Sequence, residues 1–265
     1  MELEPNLPGT RLPLAGRRLV VTRPEAQADA LCQAIAAAGG TVVRFPVLAI
    51  GPATDPRPLA AIAARLEEFD LAFFVSPNAV HYALHDLLAR RPWPASLRVA
   101  TVGKGSERAL AGFGFTDVIA PASGFDSEAV LRLPAFAAQA VAGRRVLIFR
   151  GDGGRDLLAD TLRSRGASVE FVPCYRRACP ALDPAPLIEA ARHGAIDGLL
   201  LTSSEGVDNL VRMLGEAGME VVRGVTVFAS HPRIAERAIA AGFRNVIETP
   251  AGDQGLMQTL AQRFG

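Results

Sequence analysis

An internal repeat runs through this 265-residue chain. Residues 18–46 (RLVVTRPEAQADALCQAIAAAGGTVVRFP) recur without a gap as residues 145–173 (RVLIFRGDGGRDLLADTLRSRGASVEFVP), and Arg23 and Arg150 show the offset of 150 − 23 = 127 residues. Two such halves predict two similar lobes and a cleft. The repeat continues in two further pairs, 70–80 with 197–207 and 109–119 with 237–247.

Each copy of the repeat alternates strands with a helix. Short continuous apolar runs are typical of strands in parallel sheets covered on both faces, so the fold class is predicted to be α/β with parallel sheets. Ligands are then expected at the carboxyl ends of the strands. Strands are predicted near Arg18–Thr22, Thr41–Pro46, Leu71–Val75, Val99–Val102, Val118–Ile119, Val146–Phe149, Ser168–Val172, Gly198–Leu201, Val225–Ala229 and Val246–Ile247. Examples of predicted helices are Glu25–Ala38, Pro77–Leu88, Glu107–Gly112, Asp156–Arg165, Glu205–Ala217 and Ile234–Ala241.

Two extended segments interrupt this alternation. Val42–Pro52 and Val169–Pro180 are apolar, contain prolines and lack helical periodicity, and they occupy the same place in each copy of the repeat. Both are interpreted as linkers that pair as strands. A tandem duplication would divide the chain once near its middle, whereas two linkers would divide it into three segments. The repeat alone leaves both divisions open.

Composition argues against several classes of partner. The net charge of +1 does not favour a nucleic-acid or membrane surface. No apolar run approaches the roughly 20 residues that span a bilayer. The first residues, Met1-Glu-Leu-Glu-Pro5, lack the basic and apolar regions of a signal peptide, so residues 1–16 are predicted to be a disordered tail.

Cysteine usage points to a reducing compartment. Cys32, Cys174 and Cys179 form no CxxC pair, and so sparse and odd a count argues against a disulfide framework. A cytoplasmic location is therefore predicted. Cys174 and Cys179 with His193 lack the spacing of a zinc site, and no metal is predicted.

Polar residues follow several predicted strands, directly before a helix. Such loops would line a cleft with N–H groups, hydroxyls and cations suited to an anionic ligand. The alternative interpretation is that the serines in these loops, Ser76, Ser106, Ser203 and Ser204, serve only as N-caps, each worth about 1 kcal/mol. The candidate substrate-binding residues are Arg23, Ser76, Asn78, Gly103, Lys104, Ser106, Arg150, Gly151, Asp152, Ser203, Ser204 and His231.

Familiar catalytic motifs are missing from the sequence. Gly103-Lys-Gly-Ser106 fails the Walker spacing, and the glycine-rich turn after Arg150 lacks the dinucleotide fingerprint. His81 and His85, four apart on a predicted helix, favour a solvated or partly packed role. Tyr175 stands in the second linker, where it either closes an apolar seam or faces the ligand.

The order and spacing of several motifs resemble the uroporphyrinogen-III synthase family over residues 17–263. Each motif alone is loose, and it is their succession that is specific. The motifs are Val21-Thr-Arg-Pro24, Phe74-Val-Ser-Pro-Asn-Ala-Val80, Val102-Gly-Lys-Gly-Ser106, Phe125-Asp-Ser-Glu-Ala129, Val146-Leu-Ile-Phe-Arg-Gly151 with Gly154-Arg155, Tyr175-Arg-Arg177 and Leu201-Thr-Ser-Ser-Glu-Gly-Val207.

The resemblance implies a three-segment organisation. Members have two flavodoxin-like lobes joined by a two-stranded linker, and the N-terminal segment completes the C-terminal lobe. Lobe 1 is then expected at 17–50 plus 175–265 and lobe 2 at 53–170. The linkers are expected at about 42–53 and 169–181.

The resemblance also implies a reaction. The family cyclises the linear tetrapyrrole hydroxymethylbilane to uroporphyrinogen III, inverts ring D and releases water, without a cofactor or metal, on the route to haem, sirohaem and cobalamin. The substrate carries several carboxylates, which suits a cleft of N–H donors, hydroxyls and cations. Closure without inversion competes, so holding one geometry is the main contribution.

Tyr175 corresponds to the tyrosine that family members carry at the second linker. The resemblance implies that it is the catalytic acid that assists the departing hydroxyl. Val75 stands where many members have Thr, so a direct role for a side-chain hydroxyl is expected from Ser76 instead. A monomer is expected, with a transient contact to the preceding pathway enzyme and no nucleic-acid or membrane partner.

Two other functions fit a two-lobed chain. One is a non-enzymatic binding protein for small anions or sugars, which usually has longer lobes and often a secretion signal or a DNA-binding segment. The other is a nucleotide-sugar transferase with two Rossmann-like lobes, which is longer and has acidic nucleotide contacts. The sequence shows none of these features.

Overall fold

The computed structural model of this chain describes residues 12–124, 126–154 and 156–265. Residues 1–11 of the predicted tail, and Phe125 and Arg155 of the motifs above, lie outside the described residues. The strands are β1 Arg18–Val21, β2 Thr41–Arg44, β3 Ala49–Pro52, β4 Leu71–Phe74, β5 Arg98–Thr101, β6 Val118–Ile119, β7 Arg145–Gly151, β8 Ser168–Ala178, β9 Gly198–Leu201, β10 Val227–Ala229 and β11 Val246–Glu248. The α-helices are α1 Asp29–Ala37, α2 Arg57–Ala63, α3 Pro77–Arg90, α4 Lys104–Gly112, α5 Ser127–Leu131, α6 Ala138–Val141, α7 Leu157–Ser164, α8 Ala185–Arg192, α9 Ser204–Val222, α10 Pro232–Ala240 and α11 Gly252–Phe264.

The strands form two sheets, one in each of two compact units. The first unit comprises the described part of Met1–Ala49 together with Ala178–Gly265, and the second comprises Ile50–Arg177. The first sheet has the order β2-β1-β9-β10-β11, and the second has the order β3-β8-β7-β4-β5-β6. All neighbouring strands of the first sheet pair in parallel, and so do the neighbours from β8 to β6 in the second sheet. The predicted α/β class with parallel sheets is confirmed.

The two sheets carry the sequence repeat in permuted order. In the repeat, β1 and β2 correspond to β7 and β8, while β9, β10 and β11 correspond to β4, β5 and β6. With this correspondence, the first sheet has the same strand order as β8-β7-β4-β5-β6. The first unit takes its leading strand pair from the start of the chain, whereas the second takes the equivalent pair from its own end.

Both sheets are buried on both faces, which explains the continuous apolar strands. All four residues of β4 are buried; Ala72 and Phe74 belong to one core cluster, whereas Leu71 and Phe73 belong to another. Successive side chains of a strand point to opposite faces, so each face receives alternate residues. In the first unit, β9 divides its leucines between two clusters in the same way.

An aspartate clasp joins the amino ends of the central strands in each unit. Asp70 accepts hydrogen bonds from the backbone N–H of Arg145 at 2.8 Å and from the Arg144 guanidinium at 2.7 Å. Asp197 accepts from the backbone N–H of Arg18 at 2.7 Å and from the Arg17 guanidinium at 3.0 Å.

Because the two clasps are 127 residues apart at every position, the repeat preserves a tertiary contact as well as a pattern of elements. Hydrogen bonds from Arg145 and Arg144 lower the pKa of the Asp70 carboxyl, which offsets the opposite effect of its partial burial.

Several predicted boundaries differ from the structure. The start of the predicted helix Glu25–Ala38 is a 3-10 turn, Glu25–Gln27, and α1 begins at Asp29. The helix predicted to end at Ala217 is instead interrupted at Gly215, whose φ of 61° and ψ of −177° are not helical, and a further helical stretch continues to Val222. Local propensity fixes helix ends weakly, so differences of this size are ordinary.

The two segments interpreted as linkers are largely strands of the sheets. The first contains the end of β2, in the first sheet, and β3, in the second. The second lies almost wholly within the 11-residue strand β8, which places Tyr175 in the second unit rather than in the lobe expected to begin there. Extended apolar segments have N–H and C=O groups to satisfy, and a sheet edge satisfies them.

The tail prediction does not hold for residues 12–16. Leu14 is fully buried in a core cluster of the first unit, and its N–H donates to the Ala38 carbonyl at 2.9 Å. A buried leucine docked on the end of α1 fixes this segment. Throughout residues 12–124, 126–154 and 156–265, no helix combines the length and apolarity required to cross a bilayer.

Candidate active site

Three predicted site residues of the second unit meet at the carboxyl edge of its sheet. Ser76 follows β4, Gly151 ends β7, and Tyr175 lies on the adjacent β8. The Tyr175 hydroxyl lies 3.2 Å from the Ser76 Oγ. Gly151 and Tyr175 are register partners across the two strands. These strands bring residues from distant parts of the sequence into contact, as expected for the ligand edge of a parallel sheet.

A β-bulge decides which way Tyr175 points. Arg150 pairs with Pro173 and Gly151 pairs with Tyr175, so Cys174 is one residue in excess on β8. Consecutive strand residues normally face opposite sides of a sheet, but Cys174 and Tyr175 belong to the same core cluster. The bulge therefore turns the phenol, which is 5% exposed, to the face on which Ser76 lies.

Gly151 is required by the close approach of that phenol. A Cβ built at Gly151 would lie 2.9 Å from the Tyr175 Cζ and 3.3 Å from its hydroxyl oxygen. Contacts under 3.0 Å are not adopted by real side chains, so any larger residue would displace the ring. The glycine thus has a steric role that the sequence pattern did not specify.

Tyr82 is a site neighbour that sequence reasoning missed. Its ring stacks with that of Tyr175, with centroids 6.1 Å apart and planes at 21°. Its hydroxyl donates to the Ile50 carbonyl at 3.3 Å. The sequence offered one signal: Tyr82 lies on the helix that Ser76 caps. Tyr82 and Tyr175 are also the two tyrosines of the chain.

Ser76 is the N-cap of α3. Its Oγ accepts a hydrogen bond from the Ala79 N–H at 3.1 Å, so the capping role predicted for it is confirmed. The amino end of a helix also carries a partial positive charge. The Tyr175 hydroxyl, bonded to this cap, therefore lies where a negative charge is favoured.

Arg150 and Asp152 lie in the same loop but make other contacts. The Arg150 guanidinium pairs with Asp156 at 2.6 Å and lies 4.5 Å from the centre of the Phe171 ring. Its side chain is 11% exposed and borders a cavity of about 150 Å³ with Ser127 and apolar side chains. Asp152 accepts from the Arg177 N–H at 3.3 Å. The residues described here therefore place Arg150 beside a separate cavity, not against Tyr175.

The loop after β5 holds three more candidates. Gly103 is the N-cap of α4, and its carbonyl accepts from the Ser106 N–H at 3.0 Å. Ser106 is 2% exposed and lies inside α4, so the N-cap role predicted for it is wrong. Lys104 is exposed, and its Nζ pairs with Glu107 at 2.7 Å. Asn78 is half-buried in the first turn of α3.

The remaining candidates belong to the first unit. Arg23 pairs with Asp253 at 2.5 Å, and the Ser203 Oγ caps α9 by accepting from the Gly206 N–H at 2.9 Å. Ser204 follows in the first turn of α9. His231 caps α10, with its Nδ1 accepting from the Arg233 N–H at 3.2 Å. N-capping is thus shown for both Ser203 and His231.

Burial raises the pKa of the Cys174 thiol to about 12, despite hydrogen bonds that act in the opposite direction. A thiol so strongly protonated is a poor nucleophile and metal ligand. Across the described part of the chain, no group of three or more His, Cys, Asp or Glu side chains is arranged to hold a metal ion.

Comparison with known proteins gives one consistent result. A family model described as uroporphyrinogen-III synthase HemD matches residues 29–258. Uroporphyrinogen-III synthase from Salmonella typhimurium is 36% identical over 72% of this chain and 78% of its own length. The protein of that name from Escherichia coli is 34% identical over the same shares of the two chains. In Synechococcus elongatus the counterpart is 31% identical over 76% of each chain.

Solved structures support the fold. A mutant uroporphyrinogen III synthase from Thermus thermophilus superimposes with a TM-score of 0.59, at 19% identity, over 93% of this chain and 98% of that one. The Helicobacter pylori uroporphyrinogen-III synthetase gives a TM-score of 0.58, at 12% identity, over 94% and 100% of the two chains. With the family model matched over most of its length, this chain belongs to the uroporphyrinogen-III synthase family.

Proposed function

We propose that this protein is a uroporphyrinogen-III synthase that uses Tyr175 as its catalytic acid. It cyclises hydroxymethylbilane, a lyase-type reaction of tetrapyrrole biosynthesis. The observation that carries the residue assignment is the Tyr175 hydroxyl, 3.2 Å from the cap of α3 at the carboxyl edge of the second sheet. Family membership and the position of this group together favour an enzyme over a binding protein for anions or sugars.

The chemistry begins with departure of the terminal hydroxyl of the bilane. Tyr175 donates its proton as the C–O bond breaks, and the hydroxyl leaves as water. The azafulvene that remains is attacked by the substituted carbon of ring D, which gives a spiro intermediate. Fragmentation and reclosure invert the ring. The proton lost as the last pyrrole regains aromaticity restores Tyr175.

Most of the catalytic effect in this scheme is geometric. Closure without inversion competes, so the protein must hold the reacting carbons in one arrangement. The carboxylates of the substrate supply the handles for that binding. Hydroxyls, N–H groups and cations at the carboxyl edges are the complementary groups. We assign this role to Arg23, Ser76, Asn78, Gly103, Lys104, Ser106, Arg150, Gly151, Ser203, Ser204 and His231 and, because its side chain is itself a carboxylate, to the backbone N–H of Asp152.

The exposed members of this set have side chains that a ligand can reach directly. Lys104 and His231 are both exposed. Arg23, Lys104 and Arg150 already have carboxylate partners, so a substrate carboxylate has to compete with Asp253, Glu107 or Asp156 for them. Such an exchange replaces one ion pair with another and is favourable only when the new contact is better placed.

We further propose that each unit is a flavodoxin-like lobe. The order β2-β1-β9-β10-β11 supports this, because a doubly wound sheet of that type has the order 2-1-3-4-5. The three cysteines are unpaired thiols, which supports a cytoplasmic protein. Among the described residues, exposed large apolar side chains are few and scattered, which supports a monomer; a contact with the preceding pathway enzyme would then be transient.

One assay tests the function directly. Hydroxymethylbilane is supplied to the purified protein, and the ratio of type III to type I uroporphyrinogen is read by chromatography after oxidation. A protein-free reaction measures spontaneous closure to type I. We expect mainly type III product with the protein present. Type I product alone, at the protein-free rate, would contradict the proposal.

A further inference from the structure

We propose that Ser76, Gly151 and Tyr82 are positioning residues for Tyr175. Together they fix the plane of its ring and direct its hydroxyl proton away from the protein, towards the substrate. This inference rests on the proposed function, because it concerns the acid of that reaction. All four residues belong to the second unit.

Gly151 and Tyr82 determine where the ring lies. The hydroxyl-bearing end of Tyr175 passes so close to Gly151 that a methyl group there would sit 2.9 Å from Cζ. Tyr82 stacks against the same ring at 6.1 Å and is itself tied to Ile50 through its hydroxyl. An aromatic pair in this geometry holds a ring more firmly than area burial alone.

Ser76 determines how the hydroxyl is oriented. Its Oγ already accepts a hydrogen bond from Ala79, and it has one O–H proton to give. The 3.2 Å contact with Tyr175 is compatible with either oxygen as the donor. If Tyr175 donated to Ser76, its proton would be committed inside the protein. An acid needs that proton free, so Ser76 is the donor.

The same arrangement favours the state that follows proton transfer. Once the Tyr175 proton has gone to the departing hydroxyl, a phenolate remains beside the Ser76 O–H. A hydrogen bond to a charged acceptor is about twice as strong as a neutral one. The amino end of the 14-residue helix α3 adds a partial positive charge next to it. The proton released on rearomatisation then returns to this oxygen, so the cycle balances.

A spectroscopic experiment tests the Ser76 assignment without turnover. The chain has two tyrosines, so the Tyr82→Phe variant keeps the stacked ring and leaves Tyr175 as the one phenol. Its phenolate absorbance is titrated with pH, alone and with Ser76→Ala added. Loss of the donor should move the midpoint to higher pH, because the phenolate loses a hydrogen bond that the neutral phenol needs less. The Cys174 thiol, with a pKa of about 12, begins to ionise at the top of this range, so the absorbance is read at a wavelength where phenolate absorbs and thiolate does not.

Controls separate hydrogen bonding from capping. Ser76→Thr keeps both the cap and the donor and should restore the midpoint. Asp126→Ala removes the cap of α5, where Asp126 accepts from the Ala129 N–H at 2.8 Å, and should leave the midpoint unchanged. An unchanged midpoint in the Ser76→Ala protein would overturn the donor assignment, whether or not the enzyme turns over hydroxymethylbilane.

Gly151 is tested by a matched pair of glycines in one loop. Gly151→Ala places its methyl against the Tyr175 ring, whereas a Cβ at Gly153 meets no atom within 4 Å. We expect Gly151→Ala to lower kcat on the order of 100-fold with little change in KM, and Gly153→Ala to stay within about twofold. Equal kinetics for the two variants would overturn the steric role. A wild-type protein without type III product would instead refute the proposed function, and the titration would still decide the Ser76 assignment.

Discussion

The carboxyl edges of the two units carry the same scaffold with different chemistry. Ser76 and Ser203 occupy equivalent positions and cap equivalent helices, each accepting an N–H from three residues on. The repeat partner of Tyr175, however, is Leu48, and that of Gly151 is Pro24. Only the second unit therefore joins a phenol to its helix cap. The two edges are equivalent in scaffold, and the two differences, Tyr175 for Leu48 and Gly151 for Pro24, lie where we propose the catalytic acid.

The amino edges teach the complementary lesson. The Asp70 and Asp197 clasps are alike in every partner and nearly alike in distance. The amino ends of the two sheets thus keep the same contacts, while the carboxyl ends, where the candidate site lies, differ.

The largest expected effect is on the core of the second unit. Phe149 is fully buried and stacks on Phe74 with ring centroids 4.8 Å apart, whereas its repeat partner Thr22 bonds the Leu200 carbonyl at 2.6 Å. Phe149→Ala should lower the free energy of unfolding by about 3–5 kcal/mol, and Thr22→Val by about 1 kcal/mol.

The measurement is urea denaturation followed by two signals. The fluorescence of Trp93, the single tryptophan, reports the second unit, and circular dichroism reports the whole chain. An equal loss in the two variants would show that the units do not build their cores differently.

The second effect is catalytic. Tyr175→Phe keeps the ring in contact with Gly151 but removes the proton, so kcat for type III product should fall about 100-fold or more. Adding Leu48→Tyr should not restore activity, because Pro24 stands where Gly151 leaves room in the second unit. An unchanged kcat would remove Tyr175 from the mechanism, and rescue by Leu48→Tyr would show that the two edges are interchangeable.

The third effect compares the clasps. Asp70→Asn and Asp197→Asn each lose charge-assisted bonds to an arginine side chain and a backbone N–H, so each should cost about 2 kcal/mol of unfolding free energy. The folded pKa of Asp70 is lowered, so its contribution is present above the unfolded value of 3.8 and is lost as the pH falls below it.

Urea denaturation at neutral pH and near pH 3 measures both the cost of each substitution and its dependence on pH. The difference between wild type and Asp70→Asn should shrink at the lower pH. If the two variants lost very different amounts of unfolding free energy at neutral pH, the clasps would have the same geometry but contribute differently to stability.

The smallest effect involves Cys174 and alkaline pH. Its folded pKa is raised from 9.0 to about 12, so the neutral thiol stabilises the fold below pH 9 and that stability is lost as the pH rises through the interval. Between pH 8 and pH 10 this loss is about 1.4 kcal/mol. Cys174→Ala should lack it. Parallel pH dependence of unfolding in the two proteins would contradict the assignment.

Much of the fold was predictable because the repeat encodes it at short range. Apolar runs flanked by amphipathic helices predicted the parallel α/β class, and Gly39 and Gly166, with φ of +88° and +87°, lie after the helices where the pattern required left-handed stops. The permuted order of the sheets was not predictable from the residues alone, because nothing local states whether β1 pairs with β9 or with a nearer strand.

The site was predictable in composition but not in arrangement. Polar residues at strand ends identified Ser76 and Gly151, and the resemblance identified Tyr175. Their contact depends on the bulge at Cys174, and an extra residue in a strand leaves no periodic signature. Tyr82 was missed because its role comes from stacking across elements distant in sequence.

The divided first unit also has a consequence for protein synthesis. Leu19 pairs with Gly198, so 198 − 19 = 179 further residues are synthesised before β9, the second neighbour of β1, exists. At ribosomal rates of 5–20 residues per second, the delay is roughly 10 to 35 seconds. The continuous second unit is completed earlier, by residue 177. The nascent chain thus has β1, α1 and β2 with one edge of β1 uncovered at a stage when Ser76, Gly151 and Tyr175 have all been synthesised. An uncovered strand edge pairs readily with other chains, so this is the stage at which the N-terminal segment is most exposed to wrong pairing.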